Sequence, residues 1–215
     1  MRLYNMNFDN FGPVIFFCTI IAGGVLFYER KKAARKQSSD EQEFWAREAK
    51  ANETRRKDIT FLNYIKIPVD TLPMEPSDNE EIRECQDTIS ILSQSRVLNL
   101  QGISNTDLKL EYGVANLPLL TEYDENYTVL LTTLVRWGEK LMEDGQTESA
   151  VTVLEYGISL NTDISKNYFL LADFYRTQRR PEEIERLIET ASKISTVMKG
   201  PIIKKLNEFL EYAGN

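Results

Sequence analysis

The chain contains no histidine among its 215 residues and only two cysteines. Histidine is the commonest general base and the commonest metal ligand, so its absence removes large classes of hydrolase and metalloenzyme. Cys18 lies in an apolar run, and Cys85 lies in a helical pattern far from it. The two cysteines cannot build a disulfide framework, and a reducing compartment fits them best.

Motifs that carry chemistry are also missing. The sequence has neither the phosphate-binding pattern G-x-x-x-x-G-K-[ST] nor the dinucleotide pattern G-x-G-x-x-G, and it lacks zinc-type cysteine pairs and a G-x-S-x-G elbow. The acidic clusters at 78–81 and 182–185 begin predicted helices, where negative charge interacts favourably with the helix dipole. We therefore expect no catalytic residue, no cofactor and no metal.

Charges of the two signs are segregated along the chain. Residues 29–57 hold ten Lys/Arg against six Asp/Glu, whereas residues 58–215 hold fifteen against twenty-six. The phosphate backbone of a nucleic acid would repel so acidic a segment, so we expect no nucleic-acid partner. The length fits one anchor and one domain of about 100–180 residues with its own core.

Residues 11–28 form an apolar run without a single charged side chain. A helix of that length extends about 27 Å, close to the hydrocarbon thickness of a bilayer. The run therefore predicts a transmembrane helix, preceded by a short N-terminus at residues 1–10. The competing interpretation is a cleaved secretory signal, but such a signal favours a basic start and small residues after the run, whereas Glu29 and Arg30 follow here.

A cluster of cations directly follows the apolar run: Arg30, Lys31, Lys32, Arg35 and Lys36. The positive-inside rule places such residues in the cytoplasm, so we expect the N-terminus outside and the remaining domain cytoplasmic. A bacterial cell membrane is the default location. The same cations attract anionic lipid headgroups, at about 1 kcal/mol each near the surface. The alternative is that they only set the topology.

The segment after the anchor predicts a basic linker and an exposed, charged stalk helix within residues 29–57. Ser38, Ser39 and Asp40, followed by two glutamates, indicate a helix start, so we expect a brief break between anchor and stalk. Residues 59–73 are apolar but contain prolines, and we expect them to lie extended across the domain. A strand at 64–67 would need a partner that the sequence does not offer.

Residues 58–215 are predicted to form a single helical domain, which makes the fold class all-α. Ile82, Cys85, Ile89 and Leu92 fall on one helical stripe, which favours a buried Cys85 over a reactive one. Asn105, Thr106 and Asp107 offer an N-cap for a short helix that Gly113 ends. Residues 200–213 have one apolar face, typical of a helix that caps a solenoid.

Two copies of a 34-residue pattern cover residues 131–164 and 165–198. The first places Leu134, Trp137, Gly138, Leu141, Ala150, Leu154 and Gly157 where the second places Tyr168, Leu171, Ala172, Tyr175, Ile184, Ile188 and Ala191. This order of large and small residues resembles the tetratricopeptide repeat (TPR), although Thr162 and Thr196 replace its closing proline. The resemblance implies helical hairpins stacked into an α-solenoid.

The same resemblance implies a peptide groove lined by the first helix of each repeat. Its lining residues would be Thr132, Val135, Glu139, Met142, Lys166, Phe169, Asp173 and Arg176. Lys166 and Arg176 are expected to bind a carboxylate of a partner's tail, although the Lys/Asn arrangement of the carboxylate-binding members is not reproduced. A purely structural role for these residues is the alternative.

Together these features predict a membrane-anchored cytoplasmic scaffold or adaptor that binds another protein. The alternative is a structural subunit of a larger membrane, cell-envelope or secretion complex, in which the surface of the domain is permanently occupied. An enzyme is a third interpretation, which no motif favours. The identity of the partner and the oligomeric state stay open.

Overall fold

The computed structural model describes the backbone of residues 11–213 and, within them, all side chains except those of 11–21, 34, 35, 38, 212 and 213. These residues form eight α-helices and two short 3-10 turns, with no strand in the described range. The helices are α1 (Phe11–Asn52), α2 (Glu80–Ser93), α3 (Asn105–Tyr112), α4 (Leu117–Glu143), α5 (Thr147–Ser159), α6 (Ser165–Thr177), α7 (Pro181–Ser192) and α8 (Lys199–Ala213). The all-α expectation is therefore confirmed for this part of the chain.

Helix α1 is continuous from Phe11 to Asn52, so the predicted break near Ser38–Asp40 is wrong. Neither glycine nor proline occurs between residues 25 and 67. A new helix start would leave four backbone N–H groups without intrahelical partners, and nothing in this stretch forces that cost on the chain. We call the part of α1 from residue 29 to 52 the stalk.

No helix within the described side chains is long and apolar enough to cross a membrane. In α1 the described side chains begin at residue 22, so most of the predicted span at 11–28 lies outside them. The predicted N-terminus at 1–10 lies wholly outside the described residues. The span therefore stays a prediction.

The stalk joins the domain through side chains near its C-terminal end. The Glu48 carboxylate accepts hydrogen bonds from the Thr106 hydroxyl and from Lys109 Nζ, the latter at 2.9 Å, and both side chains of the Glu48–Lys109 pair are only 17 % exposed. These bonds hold the pKa of Glu48 below its usual value. Ala51 is fully buried one helical turn later. The stalk is thus fixed to α3 rather than hinged on it.

Residues 53–79 run irregularly across the helices, as the prolines predicted. The backbone N–H of Ile65 donates to Val97 O at 2.9 Å, but no ladder follows, so the possible strand at 64–67 is absent. Ile65, Ile67 and Leu72 pack into the core between α2 and α4.

Helix α3 has Ser104 as its N-cap, one residue before the expected Asn105, since the Ser104 hydroxyl accepts from Asp107 N–H at 3.2 Å.

The domain core consists of three clusters of buried side chains. The first joins α2, α4 and α5, the second joins α5 to α8, and the third lies between residues 59–64, α3 and the start of α4. Met142 packs against the first two clusters and connects them. Helix α4 pairs with α5 and α6 with α7, across turns at 144–146 and 178–180, while α8 packs on both α6 and α7.

Candidate interaction surface

The C-terminal half of α4 and the whole of α6 carry the eight residues predicted to line a groove. Among the charged ones, Lys166 forms an ion pair with Glu139 at 2.5 Å, and Arg176 forms one with Asp173 at 2.6 Å. All four of these residues belong to the predicted lining. Each predicted carboxylate-binding cation therefore already has a carboxylate partner within the chain.

The apolar members of the predicted lining contribute to the core. Val135 is 7 % exposed, and Met142 packs against two of the core clusters. The Phe169 ring lies 6.3 Å from the ring of Phe209 on α8, tilted by 40°. Thr132 is exposed, but its hydroxyl donates to Thr128 O within its own helix at 2.9 Å. The exposed part of this face is therefore mainly polar and bordered by partly covered aromatic residues.

A second polar group, which sequence reasoning missed, joins α5, α6 and α7. Glu155 accepts hydrogen bonds from the Tyr175 hydroxyl and from Arg186, the latter at 2.8 Å, and Arg186 also pairs with Glu183 at 2.9 Å. Arg180 pairs with Glu183 and lies 5.2 Å from the centre of the Tyr175 ring. These residues are up to 31 positions apart, so no local pattern could have predicted the group.

Burial and charge together set the protonation state of this polar group. Burial, together with the hydrogen bond to Glu155, raises the pKa of Tyr175 further above its usual value of 10.0, so the hydroxyl keeps its proton at neutral pH. The neighbouring cleft, of about 300 Å³, is lined by Arg186 and Lys193 among others. The arrangement links the helices of the two predicted repeats through charge and hydrogen bonds.

The lipid-facing cations predicted after the apolar run lie on the stalk. Arg30, Lys31, Lys32 and Lys36 are exposed, whereas the side chain of Arg35 lies outside the described residues. Immediately before them, four consecutive large side chains are exposed by 56 % to 70 %: Val25, Leu26, Phe27 and Tyr28. This part of α1 therefore exposes an apolar surface that is followed directly by cations.

The described side chains form several clusters of paired charges on the surface of the helical domain. No group of three or more Cys, Asp or Glu residues among them could hold a metal ion. The polar clusters found here consist of carboxylates paired with arginine or lysine, and exposed pairs of this kind contribute little to stability. Comparison with protein-family models, with curated proteins and with solved structures finds no match for this chain.

Proposed function

We propose that the chain is a single-pass membrane protein whose TPR-like helical domain binds another protein at the cytoplasmic face as a scaffold or adaptor. The observation that carries the proposal is the form of α1. One end leaves large apolar side chains uncovered, and the other end is fixed to α3 by Glu48 and Lys109. A helix of this kind holds a domain at a fixed distance from a membrane.

The proposed anchor and orientation rest on residues on either side of Glu29. The uncharged run at 11–28 matches the bilayer in length, and the following cations favour the cytoplasmic side.

Within the stalk, Phe44 and Trp45 form an exposed edge-to-face pair with ring centres 5.3 Å apart. This pair gives a partner a contact point between the membrane and the domain.

Removing residues 1–28 is expected to shift the protein from the membrane pellet to the supernatant after an alkaline carbonate wash. The reason is that burying an apolar helix in lipid holds a protein far more strongly than surface charge does. A control in which the five cations at 30–36 are changed to glutamine should stay in the pellet. Release of the unaltered full chain by the wash would contradict the anchor.

The interaction face is tested by reversing Lys166 and Arg176. The double variant Lys166→Glu, Arg176→Glu is expected to weaken capture of the partner by at least about tenfold in a crosslinking pull-down from native membranes, because charge reversal in an interface costs several kcal/mol. Lys193→Glu, which breaks an exposed ion pair with Glu189 on α7, serves as the matched control and should leave capture unchanged.

Because Lys166 already pairs with Glu139, a second variant separates recognition from folding. The swap Glu139→Lys, Lys166→Glu keeps the internal ion pair but reverses the charge order on the surface. If a partner reads these charges, capture stays weak in the swap. Full recovery of capture relative to Lys166→Glu alone would mean that this pair matters only to the fold, and Lys166 would not belong to the interaction face.

The internal pairing of Lys166 and Arg176 favours a second function, a structural subunit of a larger membrane complex. Residues with partners inside the chain need no soluble ligand, and such a subunit would not occur free. Native mass analysis of a mild detergent extract distinguishes the two proposals. A single complex of fixed composition supports the subunit, whereas a substantial free population supports the adaptor.

A further inference from the structure

A basic cleft lies where the chain leaves the stalk and enters the acidic domain. Its volume is about 400 Å³, and its lining residues are Arg56, Lys57, Asp58, Ile59, Thr60, Arg96 and Leu119. Three cations thus face one carboxylate. In the described part of the chain, no ion pair joins Arg56, Lys57 or Arg96 to a carboxylate. Arg56 and Lys57 thus carry charges that no ion pair offsets, while Arg96 interacts with Asp58 through charge alone and helps to lower its pKa.

Two tyrosine rings hold Arg96 in place. Its guanidinium carbon lies 5.1 Å from the centre of the Tyr64 ring and 5.8 Å from that of Tyr123, and the two rings meet edge to face. Contacts of this kind with two aromatic side chains restrict the orientation of the guanidinium. Arg96 is nevertheless exposed, so its guanidinium stays accessible from the cleft.

A fully buried asparagine positions the other two cations. Asn116 Oδ1 accepts from Arg56 Nε at 3.0 Å, and Asn116 Nδ2 donates to Lys57 O at 2.7 Å and to Tyr112 O at 2.7 Å. The backbone N–H of Lys57 also donates to Tyr112 O at 3.0 Å. Because Arg56 uses only Nε here, its two terminal nitrogens are left to bind an anion in the forked geometry that suits phosphate.

The single carboxylate of the cleft makes its hydrogen bonds to its own turn. Asp58 accepts from the backbone N–H and from the hydroxyl of Thr60, each at 2.9 Å, and these bonds lower its pKa. Asp58 is therefore ionised at neutral pH, and the four groups together carry a net charge of +2. A phosphate monoester carries about −1.5 to −2 at pH 7, whereas a carboxylate carries only −1.

We propose that this basic cleft binds a phosphate monoester. The stalk separates the cleft from the predicted membrane surface, since residues 29–52 extend about 36 Å as a helix. A ligand free in the aqueous phase therefore reaches the cleft more readily than a headgroup of the anchoring membrane. The choice of a free ligand over a headgroup rests on the proposed anchor, whereas the binding of a phosphate group depends neither on the anchor nor on the predicted groove.

Phenyl phosphate is a suitable probe for calorimetric titration of the full chain in neutral detergent. Saturable binding is expected, and Arg56→Gln or Arg96→Gln should each weaken it by about tenfold, the effect of losing one charge-assisted contact. Arg83→Gln, a change on the exposed face of α2 outside the cleft, should have no effect. Arg96→Lys, which keeps a cation near both rings, provides a variant less prone to unfold. Absence of saturable binding, or equal weakening by Arg83→Gln, would overturn the proposal.

The dependence of affinity on the charge of the ligand distinguishes a phosphate site from a general loss of structure. Affinity for phenyl phosphate should rise as the pH increases through about 6, where the second phosphate proton leaves. Benzoate, with one charge, should bind more weakly at pH 7, and equal affinity would refute a dianion site. Vesicles with phosphatidic acid should not compete when the full chain is reconstituted in them. Competition there would assign the cleft to a lipid headgroup instead.

Discussion

Replacing Trp137 with alanine is expected to lower the free energy of unfolding by about 3–5 kcal/mol, the usual range for a buried tryptophan. Trp137 is among the largest fully buried side chains and lies in the cluster that joins α2, α4 and α5. Its loss would leave a cavity that neighbours such as Leu134 and Leu141 cannot fill without moving their helices. Urea unfolding of the full chain in detergent, followed by far-UV circular dichroism, measures the effect.

Trp137→Phe is the matched control, because it separates ring volume from the indole N–H. That N–H is buried and has no hydrogen-bond partner, so removing it relieves a desolvation cost of about 1–3 kcal/mol. We expect this relief to offset much of the smaller cavity and to leave a loss of less than about 2 kcal/mol. Similar losses for alanine and phenylalanine would contradict the view that ring volume determines stability at this position.

Where the sequence predicted structure correctly, the signal was local. Ile82, Cys85, Ile89 and Leu92 recur at helical spacing, and all four are buried on α2. Such spacing directly determines which side chains share a helix face, whatever the rest of the fold does. Each predicted repeat likewise contains two helices, with Asp144–Gln146 and Gln178–Arg180 as the turns. Their relation to the TPR family stays a proposal.

Local signals were misleading where two of them competed. Ser38, Ser39 and Asp40 favour a helix start, yet the backbone remains helical through them. A capping residue contributes only about 1 kcal/mol, which is too little to break a helix that lacks glycine and proline on both sides. The prolines at 68, 73 and 76, in contrast, remove N–H donors outright, and residues 53–79 contain no α-helix.

The candidate binding groups depend on contacts between distant residues, which a single sequence does not reveal. Lys166 pairs with Glu139 in the preceding predicted repeat, and Arg96 lies beside Tyr64 and Tyr123. The predicted groove assumed that its cations were free, but spacing alone cannot tell a free cation from one paired across two helices. The basic cleft was missed because Arg56 and Arg96 share no pattern and meet only through the fold.

Gly113→Ala is expected to destabilise the junction between the stalk and the domain by about 3 kcal/mol or more. Gly113 has φ +87° and ψ 144°, a conformation nearly restricted to glycine, and adopting it costs another residue about 1–3 kcal/mol. A Cβ at this position would also lie 2.3 Å from Arg55 O and 2.8 Å from Arg56 Cα. These are backbone atoms, so a side-chain rotation cannot relieve the contact, and segment 55–57 would have to move away.

Gly145→Ala is the control, because it has the conformational cost of a positive φ without the steric contact. Gly145 also has a positive φ, +77°, but a Cβ there would meet nothing within 4 Å, so only the conformational cost of about 1 kcal/mol should appear. Hydrogen exchange at the Lys57 amide, which donates to Tyr112 O, should accelerate in Gly113→Ala and not in Gly145→Ala. Because the same segment carries Arg56 and Lys57, the Gly113 variant should also lose affinity for phenyl phosphate. Equal effects of the two substitutions would mean that segment 55–57 does not pack tightly on Gly113, and the rigid placement of both cations would then lose its basis.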